Sequence, residues 1–294
     1  MNYKCIVIGG KGYFGKHLVY YLQRRGLTVQ IYDVQESNEF GYKKIDITYP
    51  ESIAEINLNV DYIFMFAGIT GTFAGFDKYQ VYNAINEVGI MNLLDAIRKS
   101  PYRPKVIYPS TRLVYKGIDK PLKETDEKES KTIYAVNKIA CEGLLQAYKV
   151  SFDMPYAVFR ICIPYGNILS TDYSFGNVGF FIKQAKAGND IMLYGGGTIK
   201  RTFTHIEDIC YQIVEGAFNE ASNGEIYNVG GETLSLKEAA EIVASKFGTK
   251  VVDVPWPERD LRIESDHTYF DDAKIRSLLN MKPYKSLQDF SNDI

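Results

Sequence analysis

Two residues four positions apart raise the first chemical question. In "TIYAVNK" Tyr134 precedes Lys138, and on a helix that offset stacks both side chains on one face. A phenol beside an ammonium can move a proton. A free phenol titrates near 10, so acting as a base near pH 7 needs a downward shift of about three units, or ~4 kcal/mol. One cation ~4 Å away supplies ~4 kcal/mol at an effective dielectric of 20. An amphipathic surface helix can carry the same pair, so the decision falls to the rest of the chain.

The segment "CIVIGGKGYFGKHLVYYL" places Gly9, Gly12 and Gly15 between a strand-like run and a helical one. Glycine permits the tight turn, lets the backbone approach a pyrophosphate, and allows close helix–strand packing. The helix start then offers free N–H groups and a positive dipole end to phosphate. Asp33 ends the next strand-like run, where an acid can bind the adenosine ribose hydroxyls. A carboxylate there repels a 2′-phosphate, which favours NAD over NADP. Loop, strand order and acid together read as a dinucleotide site.

Positioning these groups requires a particular scaffold. The runs 3–10, 28–33, 60–68, 105–110 and 156–163 look like strands, and residues 13–25, 78–99 and 131–150 carry apolar residues at helical spacing. Strands apolar on both faces and separated by helices predict an α/β fold, a doubly wound parallel sheet of Rossmann type. Its ligand crevice lies beyond the carboxyl ends of the strands. After about residue 166 the rhythm loosens into short elements and glycine turns. The expected organisation is a dinucleotide-binding domain over 1–166 and a smaller mixed α/β substrate region over 167–294, with some later segments returning to the first. "SLKE" at 235–238 predicts a capping box opening a helix to about Phe247. The charged run 123–131 reads as a solvated loop.

Composition narrows the function classes. A chain of 294 residues can bury a sizeable core. A net charge of −2 disfavours a nucleic-acid footprint or an anionic membrane surface as partner. No apolar run approaches the length of a membrane span, and the N-terminus runs straight into the glycine loop without a secretory pattern. The cysteines Cys5, Cys141, Cys162 and Cys210 form no CxxC pair and read as buried reduced thiols. Together these features predict a cytoplasmic protein. The three histidines are scattered, so no metal site is expected.

The ordered set of motifs resembles the extended short-chain dehydrogenases/reductases, specifically their NAD-dependent nucleotide-sugar epimerase/dehydratase group. It comprises the glycine loop at 9–15, "DI" at 46–47, "FAG" at 66–68, "NEVG" at 86–89, "STRLVY" at 110–115 and "YAVNK" at 134–138. "FRICIPYG" at 159–166, Asn177, "RTFTHIEDI" at 201–209 and "NVGG" at 228–231 continue it, so the likeness spans most of the chain. The resemblance implies a cofactor site of Gly9, Gly12, Tyr13, Phe14, Gly15, Asp33, Asp46, Ile47, Ala67, Gly68, Asn86, Tyr134 and Lys138, holding NAD rather than NADP. It implies catalysis by Thr111, Tyr134 and Lys138. In that reading Tyr134 exchanges a proton with a sugar hydroxyl, Lys138 lowers its pKa and holds the nicotinamide ribose, and Thr111 binds the reacting oxygen. Asn177 and Arg201 match residues that contact the diphosphate of a nucleotide-sugar substrate. His205 fits its motif as a structural histidine. A homodimer through helices 78–99 and 131–150 is expected by the same analogy.

The departures bear on reaction type. Dehydratases of the family carry an acidic pair after the strand-five Ser/Thr; here Arg112 and Leu113 stand there, which disfavours dehydration. Ile163 replaces an asparagine, Thr70 stands where some 4-epimerases carry lysine, and Arg259 and Arg262 both stand as replacements for a C-terminal arginine. The expectation is an NAD-dependent nucleotide-sugar epimerase acting at C4 through a 4-keto intermediate. An NAD(P)H-dependent reductase of a nucleotide-linked 4-keto-6-deoxyhexose is the alternative. A non-catalytic dinucleotide sensor or scaffold is the third reading, against which the intact Thr111, Tyr134 and Lys138 argue.

Overall fold

The computed structural model describes residues 3–169 and 175–294. Strands β1 (Lys4–Ile8), β2 (Thr28–Asp33), β3 (Tyr42–Lys44), β4 (Tyr62–Met65), β5 (Lys105–Thr111) and β6 (Tyr156–Ile161) pair in parallel. A short β7 (Ile163–Tyr165), β8 (Ile191–Tyr194) and β9 (Lys200–His205) follow. After them β10 (Glu225–Asn228) returns to pair with β6, closing the seven-stranded order β10-β6-β5-β4-β1-β2-β3. The order reverses between β1 and β4, which opens the crevice at their carboxyl ends.

Helices cover both faces because successive strand residues point in opposite directions. Cys5 and Val7 of β1 pack with α1 (Tyr13–Arg24), while Ile6 and Ile8 pack with α2 (Gly89–Lys99) and α3 (Ile133–Phe152). After α4 (Gly176–Lys186), helix α5 (Ile206–Phe218) joins α1 on the first face. A third core gathers α4 with α6 (Leu236–Phe247), β8 and β9 in the later part of the chain. There β11 (Glu232–Ser235) pairs with β9, and β12 (Val251–Val254) with β8. The capping box is present: Glu238 N–H donates to Ser235 Oγ (3.1 Å) and Ser235 N–H donates to the Glu238 carboxylate (2.7 Å).

Two segments differ from the expected pattern. The single helix predicted over 78–99 is broken: Tyr79–Asn83 is α-helical, Ala84–Val88 is a π-helical turn, and α2 follows. The Asn86 carbonyl accepts the Cys141 thiol (3.0 Å), and its side-chain amide turns away to the Ile69 backbone. Such turns concentrate at functional sites. The strand predicted over 156–163 ends at Ile161, and Ile163–Tyr165 moves to pair with β9.

A buried ion pair pins α3 to the sheet. Arg160 is only 2% exposed and donates from Nε to Glu142 Oε1 (2.9 Å) and from Nη2 to Glu142 Oε2 (2.6 Å). The Ser110 hydroxyl donates to the same carboxylate (2.6 Å), and Arg160 Nη1 donates to the Tyr115 hydroxyl (2.7 Å). Removing one partner strands the other charge out of water. Arg160→Met should therefore lower unfolding free energy by about 3–5 kcal/mol, while Arg160→Met combined with Glu142→Leu recovers much of it. Urea unfolding midpoints of the three proteins check this; a single-variant loss below 1 kcal/mol would refute it.

Candidate active site

The glycine loop is built for close approach. Gly9 sits at φ +85°, and a Cβ there would lie 2.4 Å from the Ala67 backbone nitrogen. A Cβ on Gly15 would lie 2.0 Å from the Gly9 carbonyl oxygen. Gly12 opens α1 with no side-chain cap, so first-turn N–H groups remain available at the positive end of the helix. They border a cleft of about 600 Å³ that contains Gly9, Gly12, Asp33, Asp46, Ile47, Ala67 and Gly68 of the expected residues.

Asp33 is buried at the cleft wall, and its carboxylate accepts the Lys11 amide (2.9 Å) and the Gln35 amide (3.1 Å). Those bonds fix its orientation, and a carboxylate so placed can accept hydrogen bonds from vicinal hydroxyls. Asp46 accepts from the amide (2.9 Å) and hydroxyl (2.7 Å) of Thr48, shaping the turn on which Ile47 enters the cleft. Asn86 lies behind the lining: its amide donates to the Ile69 carbonyl (3.1 Å) and accepts the Ile69 N–H (3.0 Å). It fixes the Gly68–Ile69 loop. Tyr13 and Phe14 also stand beside the cleft. Tyr13 stacks on Phe175 at 4.0 Å and donates to the Gly166 carbonyl (2.8 Å), while Phe14 packs 6.1 Å from Phe66. Sequence reasoning missed the lining residues Gln35, Val81 and Ile85. Val81, Ala84 and Ile85 carried the signal, an i, i+3, i+4 file along residues assigned to one helix.

Tyr134 and Lys138 share one face of α3, beginning just after the cap Thr132, whose hydroxyl accepts the Ala135 amide (3.1 Å). Burial shapes the charge state of both in the free protein. Lys138 donates to the Pro109 carbonyl (2.7 Å) and lies 4.3 Å from the centroid of the Tyr108 ring. Burial pulls its pKa down to about 8. Tyr134 is half-buried, and burial pushes its phenol above the ordinary value of 10, with Tyr82 and Cys141 adding smaller upward pushes. Lys138 Nζ lies 5.6 Å from the centroid of the Tyr134 ring while it donates to the Pro109 carbonyl. Among the described residues the Tyr134 hydroxyl has no hydrogen-bond partner. Thr111 ends β5 and accepts the Leu113 amide at Oγ1 (3.3 Å), leaving its O–H free to donate.

The substrate-side residues are dispersed. Arg201 is 1% exposed and donates to the carbonyls of Lys200 (2.8 Å) and Asp266 (2.5 Å) and to the Glu264 carboxylate (2.5 Å). An enclosed guanidinium with those partners ties down the segment 264–266, and it is not open to a diphosphate in this arrangement. Asn177 is exposed in the first turn of α4, away from the cleft lining. Arg259 lies 3.7 Å from the Phe73 ring centroid, and both border a hollow of about 360 Å³ with Phe76 and Arg262. Gly75, between Phe73 and Phe76 in the chain, packs against Ile133, next to Tyr134. His205 is buried, accepts the Glu207 amide at Nδ1 (3.2 Å) and caps α5.

An open doubly wound sheet, an uncapped glycine-loop helix at its switch point, and Tyr134 one turn ahead of Lys138 on a flanking helix match the short-chain dehydrogenase/reductase arrangement expected from the sequence. The chain belongs to the NAD dependent epimerase/dehydratase family, whose profile matches residues 5–230. It is an enzyme of the extended type within that class. It is 29% identical over 275 residues to a UDP-N-acetyl-alpha-D-glucosaminuronate decarboxylase of Bacillus cytotoxicus, spanning 87% of this chain and 84% of the relative. A UDP-glucuronate 4-epimerase of Thermodesulfobacterium geofontis is 26% identical over 308 residues, spanning 97% and 92%. The fold is shared with Pal from Bacillus thuringiensis at a TM-score of 0.87, with 24% identity and 98% and 96% of the two chains covered. It is shared too with the UDP-glucuronic acid 4-epimerase of Bacillus cereus, solved with UDP-glucuronic acid and NAD, at a TM-score of 0.84, 22% identity and the same coverage.

The Lys138 environment gives a signed pH dependence. Its folded pKa of about 8 lies below the ordinary 10.5, so between those values the unfolded chain binds more protons. Stability conferred by Lys138 should rise with pH across that window. The unfolding free energy of the wild type minus that of Lys138→Met should increase from pH 7.5 to pH 10. A flat or falling difference would contradict the depressed pKa.

Proposed function

We propose that the protein is an NAD-dependent nucleotide-sugar epimerase acting at C4 through a 4-keto intermediate. The observation that carries this reading is the Tyr134 hydroxyl, free of protein partners and next to Lys138, on the helix flanking the crevice. The cleft fits the cofactor: room that a Cβ would fill at Gly9 and Gly15, open N–H groups at α1, and an oriented Asp33 carboxylate for the adenosine ribose. When bound, NAD supplies a hydride acceptor and donor for C4.

The chain's own residues do the remaining work. Tyr134 takes the C4 hydroxyl proton and later returns one to the keto oxygen. Its phenol lies too high to ionise near neutral pH in the free protein, so activation requires positive charge arriving with the ligand. Thr111 donates to the reacting oxygen and fixes its position. Arg112 and Leu113 supply no carboxylate for eliminating water, which favours epimerisation over dehydration. The substrate region is drawn from 167–294, apart from α5 and β10, which return to the first sheet, with Asn177 as a diphosphate contact. Arg201 joins it once Glu264 gives way, and Arg259 offers an exposed alternative. Val136, Gly143 and Val150 recur every seven residues along α3, with both valines exposed and open space at Gly143, and this supports a homodimer through that helix.

Tyr134→Phe should lower turnover by roughly a hundredfold or more, while NAD still binds. The purified wild type should carry NAD and interconvert a C4 epimer pair, followed by NMR, with no net change at 340 nm. Stoichiometric NAD(P)H oxidation with loss of a 4-keto sugar, and no epimerisation of any 4-hydroxy sugar, would replace this reading with the reductase.

Asp33 should make NAD bind more tightly than NADP, and Asp33→Ala should shrink the difference. Fluorescence titration with both cofactors measures it. A wild-type preference for NADP would overturn the ribose assignment.

A further inference from the structure

We propose that Arg112 reads an anionic group on the sugar, so that the preferred substrates are nucleotide-linked sugars bearing a carboxylate at C6. The inference rests on the nucleotide-sugar reading above and names the substrate class of that site.

Arg112 follows Thr111 directly, at the carboxyl end of β5, in the one-turn helix Arg112–Val114. It is half-buried, and its guanidinium makes one hydrogen bond, from Nη1 to Thr268 Oγ1 (3.1 Å). A guanidinium carries five N–H donors. The other four have no protein acceptor among the described residues, and no carboxylate there reaches ion-pair distance. The two other arginines of this region differ: Arg160 is paired with Glu142, and Arg201 with Glu264.

Arg201 is also a neighbour. Thr268 bridges to it along the backbone, and after burial the Arg112 charge is the next influence pulling the Arg201 pKa down to about 10. Of these two neighbouring guanidiniums only Arg201 is ion-paired, to Glu264, and the unmatched charge of Arg112 follows Thr111 in the chain. A partly desolvated cation without a counterion is costly, and a planar two-oxygen anion matches the guanidinium fork.

Ring chemistry selects which anion. If Thr111 meets the oxygen on C4, the residue beside it meets a substituent of C3 or C5, and of these the C6 branch on C5 is the one that is oxidised to a carboxylate in a uronate. The diphosphate leaves from C1, across the ring. A C6 carboxylate therefore fits Arg112 better than a phosphate does.

Calorimetric binding to the NAD-saturated protein tests this with two matched pairs: UDP-glucuronate against UDP-glucose, and GDP-mannuronate against GDP-mannose. At least one acid should bind more tightly than its neutral partner. Arg112→Leu should cut that acid-to-neutral ratio about tenfold or more, the worth of a charge-assisted hydrogen bond. Arg112→Lys should restore part of it. Thr268→Val removes the protein bond to Arg112 and keeps the guanidinium, so it should retain the ratio; its loss there would assign Arg112 a merely structural role. The inference is overturned if neither acid is preferred or if Arg112→Leu leaves the ratio intact. If no nucleotide sugar binds at all, the nucleotide-sugar reading fails with it, whereas preferred binding of the neutral members refutes this inference alone.

Discussion

The Glu142 carboxylate sets the register on which the site depends. It lies one helical turn beyond Lys138 and two beyond Tyr134, and is held by Ser110 at the end of β5 and by Arg160 in β6. Burying both charges costs solvation, and the two-pronged contact with added hydrogen bonds offsets much of that cost. The gain is geometric. A slip of one residue along α3 would leave the ion pair unmade, so Tyr134 is held at one height relative to Thr111.

The same strand end also fixes Lys138. Pro109 supplies a carbonyl to the ammonium, Ser110 a hydroxyl to Glu142, and Thr111 a hydroxyl oxygen to the Leu113 amide. Three consecutive residues thus serve a cation, an anion and, in the proposed reaction, the reacting oxygen. Lys138 thus sits 5.6 Å from the Tyr134 ring centroid with its ammonium engaged by Pro109, while burial keeps the phenol above its ordinary value.

Much of this was legible in the chain. The strands from β1 to β6 announce themselves because burial on both faces demands unbroken apolar runs, and the glycine loop because Gly9 and Gly15 leave no room for a side chain. What escaped notice depends on partners far along the chain. The π-helical turn rests on bonds from Asn86 to Ile69 and Cys141, and no helical periodicity encodes those. The enclosure of Arg201 follows from Glu264 and Asp266, more than sixty residues later. Local pattern reports which face of an element is buried; it is silent on which carbonyl or carboxylate a buried cation finds there.

The return of β10 to the first sheet has a consequence for biosynthesis. Until residues 225–228 emerge from the ribosome, β6 is an unpaired edge strand, and one face of the sheet lacks the cover of Ile206, Ile209 and Ile213 from α5. At ordinary elongation rates the nascent chain exposes that edge for some seconds, and unpaired apolar edges invite association with other chains. The glycine loop and its crevice are thus translated early and consolidated late. A truncation product ending near residue 166 is a substrate for chaperones or proteases, and cannot serve as a half-sized version of the enzyme.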